Sequence, residues 1–128
     1  MTVFNDITIL SQKTHNANRE AGWWDDTELV LAHVEAAKLK YVIPTKLALV
    51  HSEISEGLEG FRKGLMDDHL PHRVMLEVEL ADVVIRVLDI AGALGYDLGG
   101  AIEEKLIYNT TRADHKREVR AAEGGKSV

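Results

Sequence analysis

Apolar residues recur along most of this chain at the three- and four-residue spacing of one helix face, and no segment alternates cleanly with the two-residue period of a strand. Glycine, proline and short polar runs interrupt the pattern. The pattern predicts five helices, over about residues 5–21, 26–41, 44–64, 71–94 and 98–112. Because the connections are short, we expect one all-α domain over residues 1–120, an antiparallel helix bundle of about five helices with a four-helix core. The small, polar residues 121–128 are predicted to form a disordered tail.

The fourth predicted helix is apolar around almost its whole circumference, which is typical of a helix buried in a bundle or in an oligomer interface. Five helices have difficulty covering every side of it, so we expect the bundle to be oligomeric. Most of its charged residues form one stripe, Glu79, Asp82, Arg86 and Asp89. A carboxylate in apolar surroundings costs roughly several kcal/mol unless it is paired or binds a cation. We expect Arg86 to neutralise Asp82 or Asp89, which leaves the other acids in need of a partner.

The third predicted helix adds a second acidic pair, Glu53 and Glu56, with the same gap as Glu79 and Asp82. That gap separates two side chains by about 60° and by about 4.5 Å along the axis, so both carboxylates can reach one ion. A short loop joins the two helices, so we expect them to pack antiparallel with the pairs facing each other. Either pair alone would be ordinary solvated helix surface. Four facing carboxylates need a cation, and oxygen ligands favour Mg²⁺, with Mn²⁺ or Ca²⁺ as alternatives.

These acids lie in the segments LVHSEISEGLEGFRKG and EVELADVVIRVLDIAGALGYDL, which are followed by IEEKLIYNTTR, together covering roughly residues 44–112. The order of the segments resembles the all-α nucleoside triphosphate pyrophosphohydrolases, the MazG-like superfamily, which also includes dimeric dUTPases and dCTP pyrophosphatases. The usual first motif of that family has two adjacent glutamates and a third after a two-residue gap, and here Ser52 stands at the first of these positions. The metal positions that carry over are Glu53, Glu56, Glu79 and Asp82.

The resemblance implies Mg²⁺-dependent hydrolysis of a nucleoside triphosphate between the α and β phosphates, which yields a nucleoside monophosphate and pyrophosphate. Glu53 and Glu56 are the catalytic candidates, because a metal-bound carboxylate would orient the attacking water. The resemblance also implies an assembly of two or four copies, a homodimer or a homotetramer.

A polyphosphate needs cationic or amide donors, and Lys105, Asn109 and Arg112 share one face of the last predicted helix. The resemblance places a lysine and an asparagine there as phosphate and sugar contacts. From the residues alone, Lys105 could equally pair with neighbouring acids, and Arg112 is more typical of a solvated helix end. One of Trp23 and Trp24 is expected in the core or at an interface, and the other is a candidate platform for stacking on the base. Trp24 is named as the candidate contact, and the sequence leaves open which of the two touches the base.

The composition limits the partners and the location. A formal net charge of −6 argues against nucleic acid or an anionic membrane as the main partner. The chain has no cysteine, which excludes disulfides and thiolate metal sites and is compatible with a cytoplasmic location. The N-terminal residues do not have the pattern of a signal peptide, and the five ionisable groups between Val74 and Leu94 exclude an ordinary membrane span.

Two other classes of protein are alternatives to an enzyme. A non-catalytic bundle would bind nucleotides without turnover, and a structural oligomeric bundle would carry the acids without a metal. A di-iron carboxylate protein is disfavoured, because the sequence has none of the Glu-x-x-His pairs that such bundles need.

Overall fold

The computed structural model describes residues 2–25, 38–112, 117–122 and 124, and within them the chain is all-helical, as predicted. The helices are α1 (Val3–Glu20), α2 (Ile43–Lys63), α3 (Met75–Leu94), α4 (Leu98–Thr111) and the short α5 (Arg117–Ala121). A π-helical turn, Lys38–Val42, leads directly into α2. The second predicted helix falls mainly on residues 26–37, which lie outside the described residues, as does most of the predicted tail.

Several helix ends fall where the sequence predicts them, because local capping sets them. α2 and α3 stop at Gly64 and Gly95, whose φ angles of 63° and 67° lie in the left-handed region that glycine adopts without strain. Asp97 caps α4, since its side chain accepts a hydrogen bond from the backbone N–H of Gly100 at 3.0 Å.

The start of α3 differs from the prediction, since the helix begins at Met75 rather than near Pro71. Oδ1 of Asp67 accepts hydrogen bonds of 3.0 and 2.6 Å from the backbone N–H groups two and three residues further on. Met66 and Val74 then pair in an isolated antiparallel bridge. These bonds offer the backbone an alternative to the first helical turn, which explains the shorter helix.

α3 is the central helix, because α1 and α2 both pack along it, while α4 packs against α1. α2 and α3 are antiparallel, as predicted. Gly57, late in α2, lies against Glu79, early in α3, whereas Glu53 reaches Arg86 further along α3. A Cβ on Gly57 would lie 3.3 Å from the Cβ of Glu79, so the glycine permits close approach of the two helices beside their acidic residues.

The packing in the described part of the chain leaves one strip of α3 uncovered. Leu88, Ala91 and Gly92 are buried. A second set of apolar side chains on α3 is exposed: Leu80, Val84, Ile85 and Val87. The described residues of a single copy therefore do not bury α3 on all sides, and the oligomer that would cover it stays a prediction.

Candidate metal centre

Three carboxyl groups meet where α2 and α3 approach each other. Glu53 and Glu56 lie one turn apart on α2, and Glu79 faces them from α3; one oxygen of each lies within 4.8 Å of those of the other two. Glu53 and Glu79 are buried, whereas Glu56 is exposed, so the group opens to solvent on one side. The structure thus brings together three of the four predicted metal ligands, which we call the acidic cluster.

The chemistry of the acidic cluster fits a hard divalent cation. All three members offer carboxylate oxygens, the ligand type that Mg²⁺, Mn²⁺ and Ca²⁺ prefer. Oε2 of Glu79 is buried and has no hydrogen-bond partner within the described ranges. Leaving a buried acceptor unsatisfied costs about 1–3 kcal/mol, a cost that a bound cation or a shared proton would remove.

The members of the acidic cluster shift one another's pKa values. Burial, the hydrogen bond with Glu53 and the charges of neighbouring carboxylates raise the pKa of Glu79 from 4.5 to about 7. The hydrogen bond with Glu53, and then burial, raise the pKa of Glu56. Burial also acts to raise the pKa of Glu53, but the hydrogen bond and the charge of Arg86 outweigh it, so that this pKa is lowered. Glu79 is therefore the member that most readily holds a proton, and Glu53 the one that stays ionised.

Arg86 pairs with Glu53 on the neighbouring helix. Its Nε and Nη2 atoms both lie 2.5 Å from Oε1 of Glu53. The predicted pairing with Asp82 or Asp89 is therefore wrong, although the charge of Arg86 still acts on Asp82. Asp89 bonds instead to His15 and Trp24, and buried Glu53 gains more from a charge-assisted hydrogen bond than the less buried Asp82. Since both donors meet Oε1, Oε2 of Glu53 stays available to the acidic cluster.

Asp82, the fourth predicted ligand, follows Glu79 by one turn of α3 and lies outside the group of three. Burial and then the charge of Glu53 raise the pKa of Asp82, and the Asp82 charge in turn acts on Glu79. Asp67, a residue that the sequence did not single out, adds further negative charge from the loop before α3. Asp82 is thus electrostatically part of the site, and its role as a ligand stays a prediction.

Asp89, the last acid of the stripe, lies in the core. Nδ1 of His15 is 2.8 Å from its Oδ1, and the indole N–H of Trp24 donates to both carboxylate oxygens at 3.1 and 3.2 Å. All three side chains are buried. These hydrogen bonds replace the hydration that the carboxylate loses on burial.

The two tryptophans differ in burial, and the buried one is Trp24, the residue named as the candidate for stacking on the base. The side chain of Trp24 is 2% exposed and that of Trp23 is 69% exposed. Burial leaves Trp24 without an open face for a nucleotide base, so Trp23 is the accessible indole. Sequence spacing cannot distinguish two adjacent tryptophans in a turn, because packing alone decides which one is covered.

The other predicted substrate contacts lie on α4 and, for Arg112, at its C-cap, and α4 packs chiefly against α1. Lys105 and Arg112 lie over the ring of Tyr108, with the Lys105 Nζ and the Arg112 Cζ atoms 4.8 and 5.8 Å from its centroid. Oδ1 of Asn109 is buried and lacks a hydrogen-bond partner among the described residues. That these side chains contact a nucleotide bound at the acidic cluster stays a prediction.

Lys46, near the start of α2, is a charged residue that sequence reasoning missed. Its Nζ lies 4.3 Å from the ring centroid of Trp24 and donates to the backbone oxygen of Trp23 at 3.2 Å. Burial lowers its pKa; the charge of Asp89 acts in the opposite sense, and that of Arg86 lowers the pKa further. The sequence gives no sign of this, because a lysine in the first turns of an amphipathic helix is usually exposed to solvent.

An apolar groove of about 340 Å³ lies between α2 and α3 and shares Glu53 and Glu79 with the acidic cluster. Its other lining residues include Ile54, Leu58, Phe61, Leu76, Leu80 and Val83. Several of them are exposed, Phe61 by 69%. The acidic cluster therefore borders an open, almost wholly apolar surface.

No protein-family model matches the chain significantly, and no curated protein or solved structure is significantly similar to it. No helix in the described part of the chain is both long and apolar enough to cross a membrane. Function is therefore inferred from the geometry of the acidic cluster and from the resemblance of its motifs.

Proposed function

We propose that this protein is a Mg²⁺-dependent nucleoside triphosphate pyrophosphohydrolase that cleaves between the α and β phosphates. The observation that carries this proposal is the convergence of Glu53, Glu56 and Glu79, with a buried oxygen of Glu79 that lacks a partner in the described structure. Proteins commonly hold Mg²⁺ through one or a few carboxylates together with substrate phosphates. The order of the motifs, which resembles the MazG-like superfamily, supports a nucleoside triphosphate as the substrate.

We propose a different role for each residue of the site. Glu53, Glu56 and Glu79 would hold the ion, with Asp82 as the fourth proposed ligand. When bound, the ion supplies neutralisation of the charge on the phosphates. Arg86 orients the Glu53 carboxylate through the Nε hydrogen bond and the Nη2 ion-pair contact to one oxygen. Glu56 is exposed and has a raised pKa, so of the two catalytic candidates it is the one placed to orient an attacking water and accept its proton.

We propose that residues of α4 and its C-cap, together with the turn after α1, complete the substrate-binding site. Lys105 and Arg112 would contact phosphate, and Asn109 the sugar, where its buried Oδ1 would accept a hydrogen bond that the described structure does not supply. Trp23 is the exposed indole on which a base could stack, an interaction worth about 1–3 kcal/mol.

We also propose that a second copy of the chain covers the apolar groove. Leu58, Phe61 and Leu80 are each more than half exposed, and a contiguous apolar surface of this kind marks an interaction site. Two antiparallel helix pairs related by a two-fold axis can pack as a four-helix bundle that buries α2 and α3 of both copies. We expect a homodimer or a homotetramer by light scattering at micromolar concentration, and a monomer would contradict this.

The exposed groove also favours a second candidate function, a structural oligomeric bundle without catalysis. In such a protein the acidic cluster would be tolerated rather than used, and Mg²⁺ would leave stability and assembly unchanged. A third possibility is a bundle that binds nucleotides, as the hydrolase would, but does not hydrolyse them.

A panel of ribo- and deoxyribonucleoside triphosphates in excess Mg²⁺, with all products identified by chromatography, separates these candidates. The hydrolase should release monophosphate and pyrophosphate in equal amounts and stop when EDTA is added. Release of diphosphate and phosphate would contradict cleavage between the α and β phosphates. Nucleotide binding without turnover would select the binding bundle, and neither binding nor Mg²⁺ dependence would select the structural one.

A further inference from the structure

Lys46 carries a half-buried ammonium group without a carboxylate partner in the described part of the chain. Its hydrogen bond goes to the backbone oxygen of Trp23, and it lies over the face of Trp24. Asp89, whose charge reaches Lys46, directs its oxygens to His15 and Trp24. An ammonium group has three N–H donors, so two of those on Lys46 have no partner among the described residues. A cation taken partly out of water is stabilised by an anion, and this one lacks a bonded anion.

The position of Lys46 relates it to the acidic cluster. It lies seven residues before Glu53, which is two helical turns, on the same face of α2 and about 10.5 Å away along the axis. Arg86 connects the two, because it bonds to Glu53 and its charge also acts on Lys46. The acidic cluster, the guanidinium and the ammonium therefore follow one another along the seam between α2 and α3.

Arg86 also has donors that the described structure does not use. A guanidinium carries five N–H groups, and those on Nε and Nη2 that face Glu53 leave the Nη1 pair without a hydrogen bond among the described residues. Its side chain is 38% exposed, so a ligand can reach it. Guanidinium groups bind phosphate oxygens through paired N–H groups, and ammonium groups bind them as point charges. A cation site followed by two positive groups in a row complements a linear polyphosphate.

We propose that Lys46, with Arg86 beside it, is an anion site that receives the terminal phosphates of a polyphosphate held at the acidic cluster. This inference rests on the proposed function, because it requires the acidic cluster to hold phosphate through a cation. It makes inorganic tripolyphosphate a ligand of the protein even without a nucleoside. The alternative is a purely structural role, in which Lys46 only holds Trp23 and Trp24 against α2.

Calorimetric titration of the full chain with inorganic tripolyphosphate in excess Mg²⁺ tests the site. Lys46→Gln removes the charge but keeps a donor for the Trp23 oxygen, and Lys46→Arg keeps the charge. Lys63→Gln is the matched control, since Lys63 lies on the same helix with an exposed ion pair to Glu59 at 2.6 Å. Lys46→Gln should weaken binding by about tenfold or more, Lys46→Arg should retain most of it, and Lys63→Gln should match the wild type within about twofold. The shift in melting temperature that Mg²⁺ produces without phosphate should be the same in all four proteins.

Three results would overturn the anion site. The first is binding by Lys46→Gln within about twofold of the wild type. The second is loss of the Mg²⁺-dependent melting shift in Lys46→Gln, because the lysine would then act through the fold. The third is a wild type that does not bind tripolyphosphate at all.

The same set of proteins separates this inference from the hydrolase proposal. If tripolyphosphate binds through Lys46 but no nucleoside triphosphate yields pyrophosphate, the hydrolase fails and the anion site stands. If the wild type hydrolyses nucleotides and Lys46→Gln keeps its KM, the anion site fails and the hydrolase stands.

Should Lys46→Gln not fold, acylation of the wild-type lysines decides the question. Tripolyphosphate with Mg²⁺ should slow the acylation of Lys46, read by peptide mass, by about fivefold or more while leaving that of Lys63 unchanged. Equal acylation rates of Lys46 with and without the ligand would refute the site.

Discussion

Arg86 on α3 holds Glu53 on α2 through two donors that both lie 2.5 Å from one carboxylate oxygen. Glu53 is thereby a member of the acidic cluster and an arginine partner at once. Its pKa is lowered, whereas the pKa values of Glu56 and Glu79 are raised. This one pair decides which of three crowded carboxyl groups stays ionised, and it joins the acidic cluster to the positively charged part of the seam.

Replacing Arg86 by methionine should lower the free energy of unfolding by about 1–3 kcal/mol, because buried Glu53 would lose its charge-assisted hydrogen bond and its ion pair. Urea unfolding near neutral pH in EDTA measures the change. Arg62→Met removes only an exposed contact with Glu59 at 3.6 Å and should alter stability by about 0.5 kcal/mol or less. Equal losses in the two variants would show that the Arg86–Glu53 pair contributes no more than a surface ion pair.

Glu56→Gln should reduce kcat for pyrophosphate release by about 10²–10⁴-fold, the range expected when a general base is removed. Because Glu56 is exposed, the fold should be unchanged in circular dichroism. Glu59→Gln is the matched control, one turn further along α2, where Glu59 pairs with Lys63 instead of the acidic cluster. A Glu56→Gln enzyme as active as Glu59→Gln would exclude Glu56 as the base.

Glu79→Gln should abolish the stabilisation that Mg²⁺ gives to the wild type, because it removes the carboxylate whose buried Oε2 has no hydrogen-bond partner in the described structure. An ion present at about 100 times its Kd stabilises a folded protein by about 2.7 kcal/mol, which a thermal melt with and without Mg²⁺ resolves. Glu77→Gln, on the same helix but paired with Arg73 at 2.8 Å, should keep the Mg²⁺ response. If Glu79→Gln still responds fully to Mg²⁺, the ion binds at a site other than the acidic cluster.

The pH dependence of stability in EDTA follows from the raised pKa of Glu79. The folded chain binds a proton there up to about pH 7, whereas the unfolded chain releases it near 4.5, so the folded state holds more protons between these values. The resulting stabilisation is complete below about pH 4.5 and is lost as the pH rises through about 7. The free energy of unfolding of Glu79→Gln should therefore fall less over this range than that of the wild type. Identical slopes would show that Glu79 titrates normally.

The two tryptophans should respond oppositely to substitution. Trp24→Phe removes the indole N–H that Asp89 accepts in the core and should cost about 1–3 kcal/mol of stability. Trp23→Ala changes an exposed side chain and should alter stability by about 0.5 kcal/mol or less. If Trp23 stacks on the base, Trp23→Ala should raise KM for the nucleotide, and Trp24→Phe should leave it unchanged. A raised KM in Trp24→Phe alone would return the stacking role to Trp24.

Helix positions followed from the sequence wherever local chemistry controls them. The ends at Gly64 and Gly95 and the cap at Asp97 involve only a few neighbouring residues, so sequence patterns predict them. The start of α3 was predicted four residues too early, because the bridge between Met66 and Val74 uses backbone groups of the predicted first turn, with Arg73 O accepting from Asp67 N–H and Met75 N–H donating to Leu65 O.

The approach of Glu53 and Glu56 to Glu79 was also readable from the sequence. A three-residue gap places two carboxylates on one side of a helix, and a short loop makes its neighbour antiparallel. These are consequences of helix geometry and chain connectivity, which do not depend on the remaining side chains.

Only the tertiary structure decided the partner of Arg86, the burial of Trp24 and the half-buried setting of Lys46. Each depends on the rotation and depth at which one helix packs on another, and hydrogen-bond partners 23 to 65 positions apart meet as a result. Burial changes the free energy of a charge by more than its neighbours in the sequence do, and burial is a property of the packed helices. The sequence could therefore identify the acids of the site, whereas their charges and partners follow from the fold.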